Sequence, residues 1–302
     1  MKKIGLWIRA ARLRTLPLSL AGILAGTALA YAAGYQDNLL FLLTLATTLA
    51  YQITSNFAND YGDGVKGTDN ENRIGPQRVL QSGALQPAEM KRGIIIAAVI
   101  SGLLTLGTLL RAFSAEDSQL WLVFALLGLF AIWASIKYTV GSDAYGYRGL
   151  GDLFVFLFFG LLSVLGTYFL YARAIALDVV WVAVAVGCLS AAVLNLNNMR
   201  DINSDRTSGK RTLAVLLGFQ KARLYHCALI TLAFLAMILH VGASNDSIFA
   251  YLPLLPFVIL AIHLLKVMRT GRPENLDPEL KKVALSTFFI GLLLLLVNRF
   301  FL

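Results

Sequence analysis

Charge is what this chain has least of. Asp, Glu, Lys and Arg make up 14% of its 302 residues, against about 25% in ordinary soluble domains. So sparse a charge complement excludes a solvated, disordered chain and argues against a water-soluble enzyme. Cysteine is nearly missing. Cys188 and Cys227 fall in apolar stretches, build no disulfide framework and have no metal-ligand spacing. The three histidines, His226, His240 and His263, are scattered, and the sequence pairs none of them with a nucleophile or a metal partner. Prolines number seven. Pro17, Pro76, Pro87, Pro273 and Pro278 fall at the edges of apolar runs or between them, whereas Pro253 and Pro256 lie inside one.

What the chain has instead is hydrophobic length. Apolar residues reach 58%, and the mean hydropathy is +0.70. A membrane-spanning helix needs about 20 mostly apolar residues. Nine runs qualify: Thr15–Gly34, Leu39–Ala58, Gly93–Leu110, Leu120–Tyr138, Leu150–Tyr171, Val179–Leu196, Leu224–Val241, Ile248–Val267 and Val283–Leu302. They are continuously apolar and do not alternate, which favours helices over a membrane barrel. The fold class expected is all-α: a polytopic bundle of nine transmembrane helices in one domain over 1–302. Ala28-Leu29-Ala30 resembles a signal-peptidase site, but the apolar run continues past it, so the first helix is expected to be retained.

Basic residues in the connections set the orientation. Of 26 Lys and Arg, 23 collect on one side, leaving only Arg111, Arg173 and Arg299 on the other. The N-terminus is therefore expected in the cytoplasm and the C-terminus outside. The net charge of +9 follows from this bias and suits membrane lipid headgroups and anionic substrates; no nucleic-acid reader is visible. Lys221, Arg223, Lys281 and Lys282 read as orientation charges alone.

Acids follow the same side, which orientation does not require. Two long cytoplasmic connections, 59–92 and 197–223, carry dense polar clusters. The first reads Asn56-Phe-Ala-Asn59-Asp60-Tyr-Gly-Asp63, then Lys66-Gly-Thr-Asp69. The second reads Asn195-Leu-Asn197-Asn198-Met-Arg200-Asp201-Ile-Asn-Ser-Asp205, then Gly209-Lys210-Arg211-Thr212. Asn59 and Asp63 share a helix face, as do Asp201 and Asp205, and Asp60 and Asp63 nearly do. The clusters end the second and sixth spans, like corresponding positions of a weak internal repeat. If the ends meet, their carboxylates repel and raise one another's pKa. Divalent cations relieve this, and Mg2+ in particular takes one or two carboxylates and completes its shell with water and phosphate oxygens. Lys66, Arg73, Arg78, Arg200, Lys210 and Arg211 are interleaved with the acids, which fits a polyanion held jointly by metal and cations. Diphosphate is the natural candidate. One acidic pair at a helix end is usually a solvated terminus; two matching clusters on one side are not so explained.

These strings resemble the UbiA-type intramembrane aromatic prenyltransferases. The resemblance runs through Asn59-Asp60-Tyr-Gly-Asp63-Gly-Val-Lys66-Gly-Thr-Asp69, Gly75-Pro-Gln-Arg78-Val-Leu-Gln81-Ser-Gly, Tyr147-Arg-Gly-Leu-Gly-Asp152 with Phe158-Phe-Gly160, and Asn197-Asn-Met-Arg200-Asp201 through Asp205 to Thr212. Asp69, placed two residues beyond Gly67, and the Lys-Gly-Thr-Asp string favour members that use 1,4-dihydroxy-2-naphthoate over those that use 4-hydroxybenzoate. Leu13 stands where family members often have proline.

The resemblance implies a bundle around a central cavity open to the cytoplasmic side and laterally to lipid. It implies Mg2+-dependent transfer of a polyprenyl group from polyprenyl diphosphate to the naphthoate, with loss of CO2 and diphosphate, giving demethylmenaquinol for menaquinone biosynthesis. Asp60, Asp63, Asp201 and Asp205 are the implied catalytic carboxylates. Asn59 with Asp63, and Asp201 with Asp205, are the implied metal ligands. Lys66, Arg78, Lys210 and Arg211 are diphosphate partners, and Asp69, Asn197, Asn198 and Arg200 stand around the ligands. Tyr138 is a candidate to stabilise an allylic cation, or else a tyrosine of the interfacial belt, and Arg148 a candidate for the acceptor carboxylate. A cation-coupled transporter is the rival from another class, but it would place charge near the bilayer midplane, where this sequence has almost none. A CDP-alcohol phosphotransferase would need Asp-Gly-x-x-Ala-Arg, whereas Asp63-Gly64 continues as Val65-Lys66.

Overall fold

The computed structural model describes residues 2–69, 74–243 and 247–300; Glu71 and Arg73 lie outside the described residues. The described residues are helical and form no strand. A short helix, α1 (Lys2–Ala11), precedes the first span. It buries Ala10 and Ala11, leaves Ile4 and Ile8 exposed, and sets Trp7 edge-on to Phe57 at 5.3 Å. The basic N-terminus is thus also a docked amphipathic helix. Arg12, at φ 52°, turns the chain into α2 (Leu16–Ala32), where Pro17 sits in the first turn. There its missing N–H costs nothing.

The spans continue as α3 (Asn38–Val65), α4 (Pro87–Ala112), α5 (Ser118–Lys137), α6 (Gly151–Ala172) and α7 (Leu177–Arg200). Short helices α8 (Ile202–Thr207) and α9 (Leu213–Leu217) lead to α10 (Phe219–Ala243), α11 (Pro256–Arg269) and α12 (Asp277–Phe300). Among the described residues nine helices are long and apolar enough to cross a membrane, in the expected order. The eighth begins as a 3-10 segment, Ile248–Leu254, because Pro253 cannot donate within an α-helix; the regular helix starts at Pro256. Within α6, Phe156–Gly166 widens to a π-helix, a form often found at functional sites.

Helix α7 is the buried axis: Val182, Ala183, Val186, Leu189 and Leu196 are all fully covered. Small residues permit close crossings. A Cβ on Gly160 of α6 would stand 2.5 Å from the Gly187 Cα of α7, and one on Gly291 of α12 would stand 2.5 Å from the Ala21 carbonyl oxygen of α2. By contrast α5 exposes Leu122, Leu126, Leu129 and Trp133, as a lipid-facing helix should.

Polar locks join the helices where apolar attraction cannot discriminate partners. Between α3 and α4, hydroxyl pairs link Thr47 to Thr108 (2.9 Å), Tyr51 to Thr105 (2.5 Å) and Thr54 to Ser101 (3.1 Å). Between α10, α11 and α12, His226 Nε2 meets His263 Nε2 at 2.8 Å, and His263 Nδ1 meets Glu279 Oε2 at 2.8 Å. Two of the histidines the sequence left scattered are therefore partners. Lys266 (2.7 Å) and Lys282 (2.9 Å) neutralise the fully buried Glu279, so Lys282 is more than an orientation charge. Removing one member of a buried charged network typically costs about 3 kcal/mol or more. Glu279→Ala is expected to lower the thermal midpoint in detergent by several degrees, while Lys282→Ala, which leaves Lys266 in place, changes it little. An unchanged midpoint for Glu279→Ala would mean that this network does not hold the three helices.

Candidate active site

The two polar clusters meet at one end of the bundle. Helix α3 stays regular to Val65, so Asn59 and Asp63 stack one turn apart. Asp63 is buried and accepts a 2.7 Å hydrogen bond from the Tyr147 hydroxyl. The same hydroxyl shares a 2.6 Å bond with Thr68. From the other cluster, the Lys210 ammonium comes to 3.9 Å of Asp63, and the Lys210 amide is held by the Asp205 carbonyl at 2.8 Å. Lys66 lies over the Tyr147 ring at 3.9 Å, with Lys210 over the same ring at 5.3 Å. Arg211 is exposed, and its backbone amide donates to the Tyr147 carbonyl at 3.2 Å. Tyr147 is thus the hub where the second, fourth and sixth inter-span segments converge. The sequence placed it only within a resemblance string; it sits in a short 3-10 turn, which leaves no periodic signal.

Electrostatics separates the two lysines. Burial works against the Lys210 charge, but Asp63 and Asp205, with Tyr147 and Asp69, outweigh it and hold its pKa above that of free lysine. Burial pulls Lys66 below the ordinary lysine range, with Lys210 and Lys137 adding to the effect and Asp63 opposing it. Burial, then the Asp63 charge, pushes the Tyr147 phenol upward, so it stays a neutral donor.

The other expected residues divide. Asp60 is buried and receives the Val79 and Leu80 amides, each at 3.3 Å; it anchors the connection after α3. Asp69 faces Arg78, 3.7 Å away. Asp205 is buried on α8. Asp201, expected beside it as a ligand, instead gives both oxygens to buried Arg200, at 2.9 and 2.6 Å. Arg200 also reaches Asp277 (2.6 Å) and Asn197 (2.8 Å), while Asn198 is buried one residue away. Arg148 is exposed and pairs with Asp143, away from the cavity. Tyr138 lines the cavity, edge-on to Tyr145 at 5.4 Å.

That cavity holds about 320 Å³ and runs from Asn59, Tyr138 and Tyr145 down to Thr44, Thr108 and Leu170. A second, apolar hollow of about 470 Å³ lies between α5 and α6; Phe124, Leu127, Phe158 and Leu162 border both. The two hollows thus adjoin along α5 and α6, and the polar end of the first, at Asn59, lies one helical turn from Asp63. Among the described residues no three His, Cys, Asp or Glu side chains could alone hold a metal ion. The donors present at the mouth are all hard oxygens (Asn59, Asp63, Asp205), the kind that suit Mg2+ sharing its shell with phosphate and water.

Residues 19–297 match the model of the UbiA prenyltransferase family, and the chain belongs to that family. It is 44% identical to the 1,4-dihydroxy-2-naphthoate octaprenyltransferase of Haemophilus influenzae, covering 97% of this chain and 95% of the relative. It is 43% identical to the Escherichia coli protein of the same name, covering 96% and 94%. A solved UbiA homolog from Archaeoglobus fulgidus, bound to DMAPP and Mg2+, shares the fold at TM-score 0.63 and 15% identity, covering 94% of this chain and 99% of that one. An Aeropyrum pernix homolog gives TM-score 0.66 at 18% identity, covering 93% and 99%.

Tyr147→Phe removes the hydroxyl's bonds to the Asp63 carboxylate and to Thr68 and keeps the ring beneath the lysines. Affinity for pyrophosphate in the presence of Mg2+, read by calorimetry, is expected to fall about tenfold or more, with the protein still folded and its thermal midpoint lowered by only a few degrees. Wild-type affinity in that variant would show that the hydroxyl does not position Asp63.

Proposed function

We propose that this chain is a multi-pass enzyme of the bacterial cytoplasmic membrane that transfers a polyprenyl group from its diphosphate to 1,4-dihydroxy-2-naphthoate, releasing diphosphate and CO2. The observation that carries this is the meeting of both motif-bearing segments through Lys210, Asp63 and Tyr147, with Asn59, one turn before Asp63 on α3, lining a largely apolar cavity. The near-full-length likeness to two naphthoate octaprenyltransferases supports the choice of acceptor. The chamber lining carries no Asp, Glu, Lys, Arg or His among the described residues, which supports an enzyme over an ion-coupled transporter. We place the mouth on the cytoplasmic side, from the distribution of basic residues.

Asn59 with Asp63, and Asp205 from the second motif, would hold Mg2+. An ion held there would supply positive charge to the oxygens of the departing diphosphate. Asp201 joins that set only by releasing Arg200; otherwise it fixes the start of α8. Lys210 and Lys66 place ammonium charge where the leaving diphosphate gains negative charge, with Arg78 and Arg211 nearby on the same rim. Ionisation breaks the C1–O bond, and the allylic cation faces Tyr138 and Tyr145. The apolar walls keep water from capturing it. The naphthoate ring carbon then attacks C1, and the carboxyl group leaves as CO2.

Asp63→Ala and Asp205→Ala are each expected to abolish Mg2+-dependent product formation from geranylgeranyl diphosphate and 1,4-dihydroxy-2-naphthoate, detected by mass spectrometry, in protein that remains folded. Full activity in either variant at unchanged Mg2+ demand would overturn the assignment, and exclusive use of 4-hydroxybenzoate by the wild type would overturn the acceptor.

A further inference from the structure

The chamber has two unlike walls. Toward α5 and α6 it is built of Phe124, Leu127, Phe154, Phe158 and Leu162. Toward α3 it is a stripe of Thr48, Gln52, Ser55 and Asn59, spaced four, three and four residues apart and so on one helix face. Other cavity-lining hydroxyls on α3 and α4 are already committed: Thr47 to Thr108 and Tyr51 to Thr105. The stripe is not. Among the described residues the Thr48 and Ser55 hydroxyls have no hydrogen-bond partner, and the Gln52 side chain has one, donating from its amide nitrogen to Asn56 at 3.3 Å and leaving its carbonyl oxygen unused. Across the cavity the buried Ser163 hydroxyl is also without a partner.

Thr48, Gln52 and Ser55 are half-buried and line the cavity, and a polar group left unbonded against hydrocarbon costs free energy. A polyprenyl tail offers such groups nothing. A hydroxylated aromatic ring offers hydroxyls that can donate to the Gln52 carbonyl and accept from Ser55 and Thr48. Ser55 and Gln52 lie about 6 and 10 Å along the helix axis from Asn59, close enough for a ring held there to meet a C1 atom whose diphosphate sits at the mouth. We infer that the Thr48–Gln52–Ser55 stripe of α3 is the surface that binds and orients the hydroxylated aromatic acceptor, while the α5–α6 wall takes the prenyl chain. This rests on the proposed reaction and adds to it the residues that read the acceptor.

The test uses full-length protein in lipid nanodiscs with Mg2+. Gln52→Leu and, separately, Ser55→Ala are expected to raise the KM for 1,4-dihydroxy-2-naphthoate about three- to tenfold, leaving the KM for geranylgeranyl diphosphate unchanged. Phe158→Ala is expected to raise the KM for the diphosphate and not that for the acceptor. Equilibrium binding of 1-hydroxy-2-naphthoate, a non-reacting probe under these conditions without diphosphate, should weaken in both α3 variants. Wild-type turnover with an unchanged acceptor KM in both variants, or with both KM values raised alike, overturns the inference and spares the reaction. No wild-type turnover, with probe binding that weakens in Gln52→Leu and Ser55→Ala, overturns the reaction and supports the stripe. Neither turnover nor probe binding in the wild type overturns both. Ser55→Ala removes a single oxygen, so it remains informative if Gln52→Leu fails to fold.

Discussion

A carboxylate and an ammonium, Asp63 and Lys210, face one another at 3.9 Å across the junction of two distant stretches of chain. The rest of the active end is arranged around that contact. Asp63 comes from the end of α3, Lys210 from the segment after α8, and Tyr147 from the α5–α6 connection is bound to the first and lies beneath the second. An unbalanced charge buried so close to the membrane would be costly, so the cluster keeps anions and cations interleaved. In the proposed reaction, an arriving diphosphate and its metal would exchange partners with groups that are already charged. Little of the charge has to be created on binding, which is the condition for electrostatic stabilisation of a leaving group.

Below that charged rim the chamber changes character. Its lining holds hydroxyls and amides on the α3 side and aromatic rings on the α5–α6 side, with no charged side chain among the described residues. The widened π-helical stretch of α6 brings Phe158, Phe159, Leu162 and Ser163 to the same cavity. Glycines at the α6–α7 and α2–α12 crossings let the backbones approach closely enough to keep those walls in place. Reactive charge is thus confined to the mouth, and the space where a cation would form is screened from water.

Much of this was legible in the sequence because the membrane imposes long apolar runs and because acids beside a membrane stand out. The nine spans, their order and the two clusters around Asp63 and Asp205 could be read directly. What could not be read depends on contacts between distant segments. Tyr147 lies in a brief turn with no period. His226 and His263 are 37 residues apart and become neighbours only when α10 and α11 pack. The polar stripe of α3 is diluted by apolar residues in the linear chain and emerges only on a helix face. Asp201 looked equivalent to Asp205 by spacing, and only the fold shows Arg200 holding both its oxygens.

The central claim is that Asp63 and Asp205, from opposite halves of the chain, act on one metal-bound diphosphate. A double-mutant cycle on the affinity for inorganic pyrophosphate, with and without Mg2+, addresses it directly. With Asp63→Asn and Asp205→Asn, each single change is expected to remove most of the Mg2+-dependent gain in affinity, and the double variant to lose little more. Strictly additive losses would mean that the two carboxylates serve separate ligands, and would contradict the account.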